Sequence, residues 1–180
     1  MNLANKITLL RIFMIPVFLV FMLAEFPYHM EAALAVFVLA SLTDKLDGHL
    51  ARKYNMITDF GKFMDPLADK LLVTGAFLVL IQLGRIESWI VFVILAREFA
   101  VTGLRSLAAA QDVIIAASNY GKMKTVIQIV AIIILLLDNY PFSIFNFPMD
   151  TVAVYAALII TILSGVDYFI KNKRVIMQMK

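Results

Sequence analysis

Cysteine is missing from the chain altogether, which excludes disulfides, thiolate metal sites and cysteine nucleophiles. Glycine and proline are scarce, with 7 and 5 in 180 residues, and no repeat, low-complexity segment or linker is visible. Charge is thin too. Asp, Glu, Lys and Arg make up 16% of the residues, where an ordinary soluble domain has about 25%. A net charge of +3 gives no basic field of the kind that holds nucleic acid, and no nucleic-acid partner is expected. What fills the chain instead is apolar: 62% hydrophobic residues, against about 45–50% in soluble domains. The expectation is an all-α integral membrane protein forming one domain over residues 1–180.

Apolar runs near 10–25, 32–52, 60–83, 88–108, 120–138 and 150–170 are each close to the roughly 20 residues needed to cross the hydrocarbon layer. Six transmembrane helices are predicted, and an even number places both termini on one side. The N-terminal run lacks a small-residue cleavage site, so it reads as an uncleaved first helix. Residues 1–11 mix Asn2, Asn5, Lys6, Thr8 and Arg11 with Leu3, Ile7, Leu9 and Leu10. That amphipathic pattern predicts a short interfacial helix leading into the first span. With the N-terminus cytosolic, every Lys and Arg except Arg85 falls on the cytosolic side, a strong positive-inside bias.

Against this background the stretch Thr43 to Lys70 stands out. It holds Asp44, Asp47, Asp65 and Asp69 between two apolar runs. Asp44 and Asp47 are i,i+3 and Asp65 and Asp69 are i,i+4, so each pair projects from one helix face. If the two segments are antiparallel neighbours, the pairs meet as a cluster of oxygen donors. Carboxylates so close repel unless protonated or bridged by cations. An all-oxygen site suits hard divalent ions such as Mg²⁺ or Mn²⁺, and two such ions about 3.5–4 Å apart serve phosphoryl transfer. Gly48, Ala51 and Gly61 allow close approach of a ligand or a second backbone. Arg52 lies one turn beyond Gly48 and can hold a phosphate bidentately. Pro66, inside the second pair, predicts a local kink.

Two further polar groups interrupt apolar sequence. Asn5, Thr8 and Arg11 recur at i, i+3 and i+6, which suits either a charged membrane anchor or a row aimed into a polar site. Arg97 and Arg105 are eight apart on one helical face, and an arginine at membrane depth costs roughly 2.5–3.5 kcal/mol on insertion scales, so it faces protein or water. With Lys122, at the start of the fifth span, they can form a three-pronged cradle for a phosphate dianion. Interfacial snorkelling, with Arg97 paired to Glu98 or to an aspartate, is the plainer alternative.

The pattern Asp44-x-x-Asp47-Gly48-x-x-Ala51-Arg52, eight residues, Gly61-x-x-x-Asp65-x-x-x-Asp69 resembles the signature of the CDP-alcohol phosphotransferase family at every fixed position. The segments Arg97 to Arg105 and Gly121 to Thr125 resemble the bacterial members whose acceptor is sn-glycerol 3-phosphate. The resemblance implies a transferase of the bacterial cytoplasmic membrane that uses CDP-diacylglycerol as donor and works beside membrane lipid as a homodimer. It implies two divalent cations, Mg²⁺ or Mn²⁺, held by Asp44, Asp47, Asp65 and Asp69, with Asp69 as general base. It implies that Asn5, Thr8, Gly48, Ala51, Arg52 and Gly61 contact the donor and that Arg97, Arg105 and Lys122 contact the acceptor. The same signature serves other acceptors: inositol phosphate, serine and phosphatidylglycerol. Outside the enzymes, intramembrane acids can mark a divalent-cation or proton transporter. A transport path spreads polar groups over several depths, whereas these gather at one face.

Overall fold

The structure, a computed structural model, describes residues 3–53, 59–111, 113, 115 and 118–173. The side chains of 3–4, 44–53, 59–60 and 62–63 lie outside the described set. Among the described residues six α-helices follow one another: α1 (Leu3–Leu23), α2 (His29–Lys53), α3 (Asp59–Gln82), α4 (Ser88–Ala109), α5 (Asn119–Leu136) and α6 (Met149–Lys171). A short 3₁₀ turn (Phe142–Phe145) lies between the last two. No strand occurs among the described residues. Helix is what the setting dictates, since a chain in hydrocarbon has no water to satisfy its backbone.

The helix limits fall close to the expected spans. One expectation fails: no separate interfacial helix precedes α1, which runs unbroken from Leu3. No helix breaker lies between Asn5 and Ile12 to stop it. Its polar row is also turned inward, with Asn5, Thr8 and Arg11 all buried. Among the described residues, three helices are long and apolar enough to cross a membrane, at Asn5–Leu23, Asn119–Leu136 and Met149–Lys171. A shorter apolar stretch covers His29–Thr43. α3 continues through Pro66, which sits about two turns inside it.

α1 packs along α2 and α3, α5 along α6, and α4 against α6. In lipid, burying apolar surface gives helices little reason to associate, so close van der Waals contact has to supply it. Small residues let backbones approach: Ala33, Ala40, Ala68, Ala76, Ala131 and Ala157 are buried. A methyl added at Gly75 would stand 3.3 Å from Leu19 Cδ2, which shows how near α3 lies to α1. Phe18 and Phe37 meet at 5.6 Å between ring centroids, inside a core shared with Phe77, Leu80, Ile94 and Ile132. Gln128 Nε2 donates to Thr161 Oγ1 at 3.0 Å, a polar tie between α5 and α6 within the spans. Outward faces carry Phe13, Phe92, Phe99, Ile159 and Ile170, as a lipid-facing surface requires.

The two ends of the bundle differ. At one, the α3–α4 turn meets the end of α5, where Arg85 donates to the Leu135 carbonyl at 2.5 Å and lies 3.5 Å from Asp138. His29 Nδ1 lies 3.0 Å from the Phe21 carbonyl, closing the α1–α2 turn at the same end. The other end gathers most of the charge.

Candidate active site

Residues 44–52 lie on the last turns of α2, while Gly61, Asp65 and Asp69 lie on the first turns of α3. The two halves of the signature thus fall on consecutive helices, as the spacing predicts. The side chains of Asp44, Asp47, Ala51 and Arg52, with the surroundings of Gly48, lie outside the described residues. Gly61 is buried. Among the described residues no group of three or more acidic or imidazole side chains stands close enough to hold a metal. Of the signature's four carboxylates, those of Asp65 and Asp69 are described, one helical turn apart.

Thr8 Oγ1 donates to Asp65 Oδ1 at 2.6 Å. This hydrogen bond ties α1 to α3 at the signature. Asn5 and Arg11 are buried on the same helix face as Thr8. Of the two readings of that row, the polar-site one matches the geometry and the surface anchor does not.

Asp69 faces a cavity of about 300 Å³ enclosed by α3, α4, α5 and α6. Arg97, Glu98 and Arg105 of α4 line it together with Lys122 and Lys124 of α5 and Tyr168 of α6. The three cations expected to form a cradle are therefore brought together, and with them the Asp69 carboxylate. Arg105 and Lys122 are exposed at the rim, and neither has an ion pair among the described residues. α5 begins at this wall, with Ser118 as its N-cap accepting from the Gly121 amide at 3.1 Å. The partial positive charge of a helix N-terminus therefore adds to the basic side chains. Five basic side chains, Lys70, Arg97, Arg105, Lys122 and Lys124, line the cavity against two carboxylates, Asp69 and Glu98, which leaves an excess of positive charge for an anion to offset. A phosphate dianion matches that arrangement in both charge and donor count.

Arg97 is held differently. Its Nη1 donates to Glu98 Oε1 at 3.1 Å and its Nη2 to Ser164 Oγ at 2.5 Å. The pairing with Glu98 is the one the plainer reading named, and it coexists with a place in the cavity wall. Lys124, buried, bonds to the same Glu98 oxygen. Sequence reasoning passed over Lys124, although a signal existed. Residues two apart on a helix point to different sides, so Lys122 and Lys124 cannot both face the open mouth. The inward one needs an acid, and Glu98 is the nearest charge in the neighbouring span. Ser164 and Tyr168, one turn apart on α6, gave no sequence signal.

Comparison with known proteins places the sequence in a family. The sequence model of the family described as CDP-alcohol phosphatidyltransferase matches residues 1–164. The chain is 47% identical to the CDP-diacylglycerol–glycerol-3-phosphate 3-phosphatidyltransferase of Bacillus subtilis (strain 168), in a match covering 95% of each chain. It is 43% identical to a probable phosphatidylglycerophosphate synthase of Mycobacterium tuberculosis, covering 96% of this chain and 82% of the relative. A third relative, the CDP-diacylglycerol–glycerol-3-phosphate 3-phosphatidyltransferase of Rickettsia bellii, is 38% identical over 93% of both chains.

Proposed function

The chain belongs to the CDP-alcohol phosphatidyltransferase family, and on that premise we propose that it transfers the phosphatidyl group of CDP-diacylglycerol to the primary hydroxyl of sn-glycerol 3-phosphate. The products are phosphatidylglycerophosphate and CMP. The observation that carries this reading is the shared cavity, in which Asp69 stands beside Arg97, Arg105 and Lys122.

In this mechanism Arg105, Lys122 and the N-terminus of α5 bind the acceptor's phosphate, with Arg97 fixed behind them. Bound there, the acceptor presents its hydroxyl to Asp69. The Asp69 carboxylate takes the hydroxyl proton as the oxygen attacks the β-phosphorus of the donor. The bond between that phosphorus and the bridging oxygen breaks, and CMP leaves with the electron pair. In the same reading Gly48, Ala51, Arg52 and Gly61 contact the cytidine diphosphate moiety together with Asn5 and Thr8 of α1. Thr8 also orients Asp65 through its hydrogen bond.

The residues fit a divalent cation. Asp65 and Asp69 offer only hard carboxylate oxygens, and the signature adds two more from Asp44 and Asp47, so the donor set suits Mg²⁺ or Mn²⁺ rather than a soft metal. These four aspartates would hold two ions, which when bound neutralise the diphosphate and the charge that develops on it.

The same reading takes all six helices as crossings of the bacterial cytoplasmic membrane, with both termini and the site on the cytosolic face. Support comes from the basic residues, which crowd the cavity end and leave Arg85 at the opposite end. It also includes a homodimer, which the family resemblance implies.

An acceptor screen tests the function. Purified enzyme receives CDP-diacylglycerol, Mg²⁺ or Mn²⁺, and in turn glycerol 3-phosphate, inositol phosphate, serine and phosphatidylglycerol, with CMP release followed. Glycerol 3-phosphate is expected to give the fastest release by a wide margin. Faster release with another acceptor would reassign the substrate.

A further inference from the structure

α6 contributes nothing to the signature and nothing to the three cations of the cradle, yet two consecutive residues on it enclose Arg97. Ser164 is buried and accepts the Arg97 Nη2 proton at 2.5 Å. Gly165 is also buried, and a Cβ built on it would stand 3.1 Å from Arg97 Cγ. The stem of the arginine therefore lies against the α6 backbone at a point where a larger residue would push it aside by a few tenths of an ångström. On the other side Glu98 takes the Nη1 proton while its own position is fixed by Lys124.

An arginine is a long side chain whose rotamer entropy must be surrendered to hold one geometry. Here that freedom is removed in advance at two places, the aliphatic stem by Gly165 and the guanidinium edge by Ser164. Preorganisation of this kind raises affinity by removing an ordering cost that the ligand would otherwise bear. The contact also joins the α4 wall of the cavity to α6, which brings Tyr168 to the same wall one turn after Ser164.

From this we infer that Ser164 and Gly165 are positioning residues for acceptor recognition: they act through Arg97 and fix where the acceptor's phosphate sits. The inference rests on the reading of Arg97 as part of the phosphate cradle. A residue that only holds α4 to α6 would affect folding and both substrates alike. A residue that acts through Arg97 affects the acceptor alone.

The experiment uses the full-length enzyme in detergent and measures KM for each substrate, with wild type assayed alongside. Ser164→Ala is expected to raise the KM for glycerol 3-phosphate about tenfold, the worth of one hydrogen bond to a charged group, while the KM for CDP-diacylglycerol stays within twofold. Gly165→Ala, which pushes the arginine stem aside without touching its hydrogen bond, is expected to shift the same constant in the same direction. With Arg97→Ala in place, neither change should weaken glycerol 3-phosphate binding further, because the residue they act through is gone. Additive losses in that background, an equal rise in both KM values, or no change in Ser164→Ala would each overturn the inference. Should Gly165→Ala fail to fold, Ser164→Ala decides alone. A wild-type enzyme with no glycerol 3-phosphate-dependent CMP release would instead sink the acceptor assignment, so the two failures are distinguishable.

Discussion

The two ends of α5 meet arginine in opposite ways. At its C-terminal end Arg85 donates to the Leu135 carbonyl, one of the last in the helix, and faces Asp138. A cation there meets the negative end of the helix dipole and a carboxylate, so the protein itself supplies what the charge needs. At its N-terminal end Arg97, Arg105 and Lys122 crowd a helix terminus of their own sign. Glu98 offsets part of this, but it is shared by Arg97 and Lys124. The first arrangement is complete in the protein alone. The second keeps an excess of positive charge over the Asp69 and Glu98 carboxylates, which on the proposed reading the acceptor's phosphate offsets. Changes at the first end should therefore register in stability, and changes at the second in kinetics.

That division can be broken in several ways. Removing divalent cations is the most severe: EDTA should abolish CMP release and added Mg²⁺ or Mn²⁺ should restore it, because clustered carboxylates cannot all stay ionised unaided. Full turnover in chelator would end the metal assignment. Next, Asp69→Asn keeps the size of the side chain but removes the base. A fall in kcat of about 10²–10⁴-fold is expected, the usual contribution of a positioned base, with donor binding retained. A near-normal kcat would show that the proton leaves elsewhere.

Arg105→Ala should raise the KM for glycerol 3-phosphate about tenfold or more and leave that for CDP-diacylglycerol nearly unchanged, since truncating a charged hydrogen-bond donor costs about 1.5–3 kcal/mol. A larger effect on the donor would move Arg105 to the nucleotide side. The smallest effect belongs to the other end. Arg85→Ala should lower stability by about 1–2 kcal/mol, nearly all from the carbonyl hydrogen bond, because Asp138 is 84% exposed and a pair so open to solvent contributes little. Its KM values should match wild type. An acceptor KM that moved in Arg85→Ala would mean that the two ends are coupled along α5.

The helices were legible in the sequence because apolar runs and charged interruptions alternate clearly, and α4 begins and ends within a residue of its expected span. The N-terminal residues were read as interfacial for a physical reason. An amphipathic row shows that one face is polar, but not whether it meets headgroups or a neighbouring helix. Only the partner decides, and for Thr8 that partner lies 57 residues away. The site divides along the same line. Local spacing exposed the aspartates and the Arg97–Arg105 face, whereas Ser164 reaches Arg97 across 67 residues and left no periodic trace. Lys124 was missed because two lysines in one short stretch look equivalent until the helix turns one of them inward.

The hydrogen bond from Thr8 to Asp65 also bears on how the chain is made. α1 emerges from the ribosome before its partner exists, carrying Asn5, Thr8 and Arg11 on a face that will later be buried. At about 5–20 residues per second, the 57 residues separating donor from acceptor represent roughly 3–11 s of synthesis. Throughout that interval Thr8 is without the carboxylate it will bond, and α2, which also packs along α1, is the neighbour made first. A nascent chain halted before Asp65 therefore lacks the Thr8 tie and should hold α1 less firmly against its neighbours than the finished protein does.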